Sequence, residues 1–395
     1  MNDFTFQNTT KVLFGRHQLD AFVAEVAAAG ERALLVYGGG SVKRTGVYDQ
    51  VAGALHAAGV QTFDLAGVEP NPRHTTVNRG AAIVRENGID SVLAIGGGSA
   101  IDCAKGVSAL VPAATDDVWD IVEKRVEVGD TLPVFAVVTI AATGSEMDAS
   151  AVISNMDKNV KSGFYSRGVR PRAALENPEY TFTVPRYQTA CGSVDIMSHV
   201  MDVSYFSAED RMDMLRRVQE DVMATVYKYA PVAFEEPENY EARANLMWAA
   251  SWALNSFTTC GIRQHTVAHA LEHELSAHYD ITHGHGLAIL IPHWMEHMLA
   301  QDEAVVAPVF ARFGERVLGF APSGDAAADA RAAIAALREF FFTTLGLASR
   351  LSELGIDDEK LALMAAAACD AKGGRLHGLT DLTAADVEAI YRAAL

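Results

Sequence analysis

The first half of the chain repeats one pattern: a short apolar run, a break rich in glycine, then a segment with helical apolar spacing. Arg32–Tyr37 reads as a buried strand that Gly38-Gly39-Gly40 ends. Residues 48–58 read as a helix, with Val51, Leu55 and Ala58 on one face. The alternation continues with a strand at 60–65, a helix at 76–87 and a strand at 91–95 that stops at Gly96-Gly97-Gly98-Ser99. A helix at 100–110 and a strand at 133–139 follow. Strand, glycine turn and helix in repetition predict a mainly parallel sheet covered by helices. After about Pro185 strand-like runs nearly vanish, and helical patterns take over at 188–205, 210–230, 239–258 and 304–313. The expected organisation is an α/β domain over 1–185 and an all-helical domain over 186–395. With no low-complexity linker between them, the two should pack closely and leave a cleft suited to a ligand.

The charge balance limits what such a chain binds. Asp and Glu number 50 against 32 Lys and Arg, giving a formal net charge of -18 with no basic run. That excludes nucleic acid or an anionic membrane as the main partner, since both require a positive surface. The opening Met1-Asn2-Asp3 lacks the basic and apolar regions of a secretory signal, and no uninterrupted apolar stretch of about 18 residues occurs. The four cysteines, Cys103, Cys191, Cys260 and Cys369, are scattered and form no CxxC pair, which fits free thiols in a reducing cytoplasm.

Two loops carry candidate phosphate chemistry. Gly97, Gly98, Ser99 and Asp102 lie where a strand meets a helix; glycines admit a phosphate to the backbone, and a helix N-terminus offers N–H groups to it. The spacing is not GxGxxG, so the standard dinucleotide fingerprint is absent. Thr139, Thr143, Gly144 and Ser145 follow another strand, where hydroxyls suit phosphate or ribose. In open α/β sheets ligands bind at the carboxyl ends of strands, so both loops could converge on one site.

The second half carries a metal-type constellation. Asp195 and His199 stand four apart and project from one face of a helix. Five of 13 histidines fall between residues 265 and 283: His265, His269, His273, His278 and His283, with His285 just beyond. Imidazoles with a carboxylate suit Zn or Fe(II). His265, His269 and His273 form a ladder of four-residue steps, so spacing leaves several chelating pairs open. His269-Ala270-Leu271-Glu272-His273 also fits the inverted zinc-peptidase pattern with Glu272 as base, a reading that explains neither the glycine loops nor Asp195 and His199.

Taken together, these segments resemble the iron-containing (group III) alcohol dehydrogenase family, and most of all its branch of NADPH-dependent butanol dehydrogenases and broad aldehyde reductases. The resemblance rests on residues 2–15 (NDFTFQNTTKVLFG), 37–51 (YGGGSVKRTGVYDQV), 68–72 (VEPNP), 96–105 (GGGSAIDCAK), 143–146 (TGSE), 195–199 (DIMSH) and 273–292 (HELSAHYDITHGHGLAILIP). It implies a dehydroquinate synthase-like fold, with a dinucleotide-binding α/β domain, a helical metal-binding domain and the active site between them. It also implies that Asp195, His199, His269 and His283 hold one divalent metal, Fe(II), Zn or Mn. His273 then becomes the relay that brings a proton to the alkoxide, as imidazole titrates near working pH. The reaction implied is hydride transfer between nicotinamide C4 and an aldehyde whose oxygen the metal polarises.

For the cofactor, the family match places Gly38, Gly39, Gly40, Ser41, Asn71, Gly97, Gly98, Ser99, Asp102, Thr139, Thr143, Lys161 and Tyr180 near NADP(H). Relatives that prefer NAD often hold an aspartate where this chain has Gly39; its absence, with Ser41, Lys43 and Arg44 close by, favours NADP(H). His265-Thr266 replaces an Asp-Trp pair common in relatives, which bears on substrate choice. The match further implies a cytoplasmic homodimer in which the alternating Phe4-Thr5-Phe6 pairs across the interface. Other functions compatible with the same loops are a dehydroquinate-synthase-like lyase and a non-catalytic metal or nucleotide binder; Arg263 is the one nearby cation that a phosphate-bearing substrate could use.

Overall fold

The computed structural model describes residues 2–206 and 212–395. The chain forms two compact units, one of Gln7–Val184 with Glu238–Met247, the other of Pro185–Pro237 and Trp248–Leu395 with the residues ahead of Gln7. The first unit is built on a six-stranded sheet. In chain order its strands are β1 (Lys11–Phe14), β2 (Arg32–Tyr37), β3 (Gln61–Ala66), β4 (Ser91–Gly96), β5 (Val134–Val138) and, after a separate hairpin, β8 (Ala173–Glu176). The strand order is β1-β8-β5-β4-β2-β3 and every pairing is parallel. The hairpin, β6 (Ser150–Asn155) with β7 (Val160–Tyr165), is antiparallel.

Parallel strands are buried on both faces, and the side-chain period of two shows it. Leu34 and Val36 of β2 enter a core with the helices His74–Asn87 and Gly98–Leu110, whereas Ala33, Leu35 and Tyr37 face Phe22, Val26, Val51 and Leu55 on the other side. Each fully buried Leu or Val contributes about 1.5–3 kcal/mol through removal from water. Gly80 lets one helix lie close on the sheet; a Cβ there would stand 2.6 Å from Val107 and 2.7 Å from Leu65.

The order of the strands fixes where a ligand can approach. From β2 the chain moves outward to β3, then crosses back to start β4 on the other side of β2. The carboxyl ends of β2 and β4 therefore flank a topological switch point, the place where open α/β sheets leave a crevice. Gly38–Gly40 follows β2, Gly97–Ser99 follows β4, and Thr139 follows β5, all at that edge.

The second unit is helical. Among the described residues its only β-type pairing is an isolated bridge between Leu376 and Leu382. The helix Arg186–Val200 runs directly into a π-helical turn, Met201–Tyr205. The later helices include Asp213–Glu235, Val267–Tyr279, His283–Gln301 and Glu303–Arg316. The helix expected from Asp210 begins in part outside the described residues, and that expected to reach Thr258 stops at Ala253. Beyond it Asn255 accepts the Phe257 N–H at 2.9 Å, and Ser256 adopts φ +71°, which closes a turn. Phe206 packs on Phe310, Phe313 and Trp294 at ring separations of 4.8–5.9 Å. Arg216 donates to the Tyr205 carbonyl at 2.6 Å and lies over the Tyr205 ring, so the end of the π turn is held from two sides. Phe4-Thr5-Phe6 forms no strand within the chain; Asn2 donates to Gly261 and the Phe6 ring meets Phe257 at 5.5 Å. No described helix is long and apolar enough to cross a membrane.

Candidate metal centre and nucleotide loops

Three helices of the second unit bring five of the singled-out residues together. Asp195 and His199 stand one turn apart on Arg186–Val200, His269 and His273 one turn apart on Val267–Tyr279, and His283 opens His283–Gln301. One potential ligand atom each from Asp195, His199 and His269 lies within 4.8 Å of the others. His283 Nε2 stands 3.8 Å from Asp195 Oδ1, and His199 Nδ1 stands 3.6 Å from it. The ring of His269 is 4.9 Å from that of His199 and 5.4 Å from that of His283; the His273 ring is 5.7 Å from His283.

The protein leaves two of these atoms unsatisfied. Asp195 Oδ1 and His269 Nε2 are buried and make no hydrogen bond. Leaving such atoms without a partner costs about 1–3 kcal/mol each, so their convergence fits a cation better than an empty space. One carboxylate and three imidazoles are a donor set that suits Fe(II) or Zn.

The far side of two imidazoles is tied to carboxylates. Asp202, on the π turn, meets His269 Nδ1 at 2.7 Å and also accepts the backbone N–H groups of Val267 at 2.8 Å and His269 at 2.9 Å. Glu272 is fully buried and bonds both His283 Nδ1 and the Ser276 hydroxyl. Burial opposes charge on His269, but the hydrogen bond and charge of Asp202 outweigh it and raise its pKa. Burial likewise works against ionised Asp202, yet hydrogen bonding and the charge of His269 hold its carboxyl below the usual range.

Close helix packing assembles the centre. A Cβ on Gly284 would fall 2.1 Å from the Cys191 carbonyl oxygen, and one on Gly286 would fall 2.9 Å from Glu272 Cγ. Glycine at both positions lets the start of the His283 helix touch the other two. His285 is turned elsewhere: its Nδ1 meets the Tyr187 hydroxyl at 3.1 Å and its Nε2 the Ala348 carbonyl at 3.0 Å. Both nitrogens are thus engaged away from ligation. The backbone N–H of His265 donates to the Val203 carbonyl on the π turn at 3.2 Å. Sequence reading missed Asp202 and Tyr187 altogether. A carboxylate in the apolar run Val200-Met201-Asp202-Val203, seven residues after Asp195, was the available signal for the first.

The first unit gathers the nucleotide-type residues at one end of its sheet. Gly40 has φ +94°, and its N–H closes a tight turn to the Gly38 carbonyl at 2.9 Å; a Cβ on Gly39 would meet nothing within 4 Å. Lys43 stands 3.5 Å from Asp64 and 4.2 Å from the centre of the Tyr48 ring. Cβ atoms on Gly97 and Gly98 would lie 2.4 Å from Ile140 and Thr143, so the two loops interlock through these glycines. Ser99 donates to the Pro70 carbonyl, beside buried Asn71. The Thr139 N–H bonds Gly96 at 3.0 Å, and Thr143 Oγ1 accepts from the Ser145 N–H at 3.1 Å. Lys161 lies on β7, paired with Ser154, and the half-buried Tyr180 shares a 3.0 Å hydrogen bond with Gln50.

Beneath the loops lies a fully buried ammonium. Lys105 Nζ donates to Ser145 Oγ and to the Ser150 carbonyl, each at 2.7 Å, and sits 3.9 Å from both Asp102 and Asp148. Asp102 accepts the Ser145 hydroxyl at 2.6 Å and the Val152 N–H at 3.0 Å, so both its oxygens are engaged within the protein.

The chain thus combines a parallel sheet with glycine loops at its switch point and a helical unit in which Asp195, His199 and His269 cluster beside His283. The model of iron-containing alcohol dehydrogenase matches residues 9–178, and that of the C-terminal part of the Fe-containing alcohol dehydrogenase family matches 189–395. This chain belongs to the iron-containing alcohol dehydrogenase family. It is 45% identical over 392 residues to NADH-dependent butanol dehydrogenase A of Clostridium acetobutylicum, covering 99% of each chain. It is 36% identical to the NADPH-dependent aldehyde reductase YqhD of Escherichia coli, covering 97% of this chain and 95% of that one. The crystal structure of NADH-dependent butanol dehydrogenase A from Thermotoga maritima superposes with a TM-score of 0.92 at 34% identity, covering 100% of this chain and 99% of that one.

Proposed function

We propose that this chain is a metal-dependent alcohol dehydrogenase that works as an aldehyde reductase, moving hydride between a nicotinamide cofactor and primary alcohols or aldehydes. The observation that carries this is the pair of buried acceptors, Asp195 Oδ1 and His269 Nε2, that lie in one cluster and make no hydrogen bond. Asp195, His199, His269 and His283 would hold Fe(II) or Zn, which when bound acts as a Lewis acid toward a carbonyl oxygen. The glycine loops after β2 and β4 would seat the nicotinamide dinucleotide, which supplies the hydride.

The chain's own groups do the rest. Apolar helix packing around the ligands keeps water scarce and strengthens charge interactions there. His273, half-buried and one turn from His269, carries a proton between the alcohol oxygen and solvent. Gly39 bears no carboxylate that would repel a 2′-phosphate, and a Cβ there meets open space. The Arg44 guanidinium lies 3.8 Å from the Cβ position of Gly40, which puts a cation beside the same turn. These features support NADP(H) over NAD(H), although relatives with NADH and with NADPH in their names both align.

Metal-loaded protein given NADPH and butanal should consume the near-ultraviolet absorbance of the reduced cofactor, with a higher kcat/KM than with NADH. No turnover of any short aldehyde by the Fe(II) or the Zn form would refute the activity; equal or better use of NADH would refute the cofactor preference alone. We further propose a homodimer, supported by the exposed Phe4 and Phe6 rings; a monomer by sedimentation at micromolar concentration would refute it. Four buried free cysteines support a reducing, cytoplasmic setting.

A further inference from the structure

We infer that Asp202 and Glu272 are positioning residues that set the tautomer and aim of two ligand imidazoles, and thereby the affinity of the centre for its metal. The inference rests on the proposed metal site and concerns residues outside the ligand set. An imidazole can present a lone pair to a cation only from a nitrogen without a proton, so its proton must sit on the other nitrogen. An ionised carboxylate only accepts hydrogen bonds. Asp202 against His269 Nδ1 therefore fixes the proton on Nδ1 and leaves on Nε2, which makes no hydrogen bond in the protein, a lone pair for a cation shared with Asp195 and His199. Glu272 against His283 Nδ1 does the same, leaving Nε2 on the side of Asp195 Oδ1, 3.8 Å away.

Neither carboxylate is free to turn. Asp202 is held by the Val267 and His269 N–H groups, so one side chain both closes the first turn of the helix and orients the histidine that turn carries. Glu272 is held by Ser276, and Gly286 leaves the space its chain occupies. Carboxylates that orient ligand histidines this way typically matter 10–100-fold in metal affinity.

The test is competitive titration of metal-free protein with Co(II) and Zn(II), read by a chromophoric chelator and by the visible spectrum of the Co(II) form. Wild type should bind one equivalent. D202N and E272Q should each bind it about 10–100-fold more weakly, with a shifted Co(II) spectrum. Melting of the metal-free forms separates this effect from a scaffold defect, since a purely structural role would lower melting and leave affinity and spectrum unchanged. E272Q, which cannot disturb the helix cap, keeps the test open if D202N fails to fold. Wild-type affinity and spectrum in E272Q, with D202N either the same or unfolded, would overturn the inference. No metal uptake by wild type would instead refute the metal site itself.

Discussion

The histidine cluster and the glycine loops meet their electrostatic demands in opposite ways. Around Asp195 and His269 the protein supplies acceptors and stops; buried Oδ1 and Nε2 atoms converge without a donor. Beneath the loops it supplies its own cation, Lys105, amid Asp102, Asp148 and Ser145. The first region leaves two buried polar atoms without a hydrogen bond. The second pairs its buried charges within the protein. Burying charge without a partner is expensive, so the two regions differ in whether the protein itself supplies the countercharge.

That contrast can be broken most decisively at Asp195. Asp195→Ala should lose the metal and, with several kcal/mol of carbonyl activation, lower kcat/KM by about 10³-fold or more; metal analysis and steady-state rates check both, and full metal retention would break the contrast. Lys105→Met should leave the Asp102 and Asp148 carboxylates without their cation and cost about 3 kcal/mol of stability in denaturant unfolding. Cofactor KM should rise while metal content stays at wild type. His273→Ala should lower kcat by about 10²-fold with metal content unchanged; an unaltered kcat would remove His273 from the proton path.

The smallest effect concerns a third solution on the His269 helix itself. Glu274 is a half-buried carboxyl whose pKa burial pushes up to about 7, with His278 4.0 Å away. Because the folded state holds this proton more tightly than the unfolded chain, stability falls as pH rises from about 4.5 to about 7. Glu274→Gln should therefore add about 1–2 kcal/mol at pH 8 and nothing at pH 4. Equal stability of both proteins at pH 8 would show that Glu274 ionises without penalty.

The alternating half was the easiest part to read. β2 and the strand at β4 followed their apolar runs, because buried parallel strands consist of little else. β8 escaped notice: Ala173-Ala174-Leu175-Glu176 is a sequence of helix formers, and only its place between β1 and β5 makes it a strand. The β6–β7 hairpin escaped for another reason, since β7 is largely exposed and lacks an apolar face. Asp195 and His199 were legible from spacing on one helix. Choosing among the histidines was not, because His265, His269 and His273 share one ladder of four-residue steps; the family resemblance, not spacing, singled out His269 and His283. Asp202 and Glu272 act through space on side chains far along the chain or a helix away, which no local spacing displays.

The π-helical turn Met201–Tyr205 has a consequence for how this chain can change length. In a helix each residue turns the chain by about 100°. Losing one residue between His199 and Asp202 would swing the carboxylate off His269 and uncap the helix Val267–Tyr279 together. Side chains along this stretch can be exchanged one at a time, but its residue count cannot drift. Insertions and deletions should be tolerated on exposed turns such as Gly373-Gly374 and rejected here.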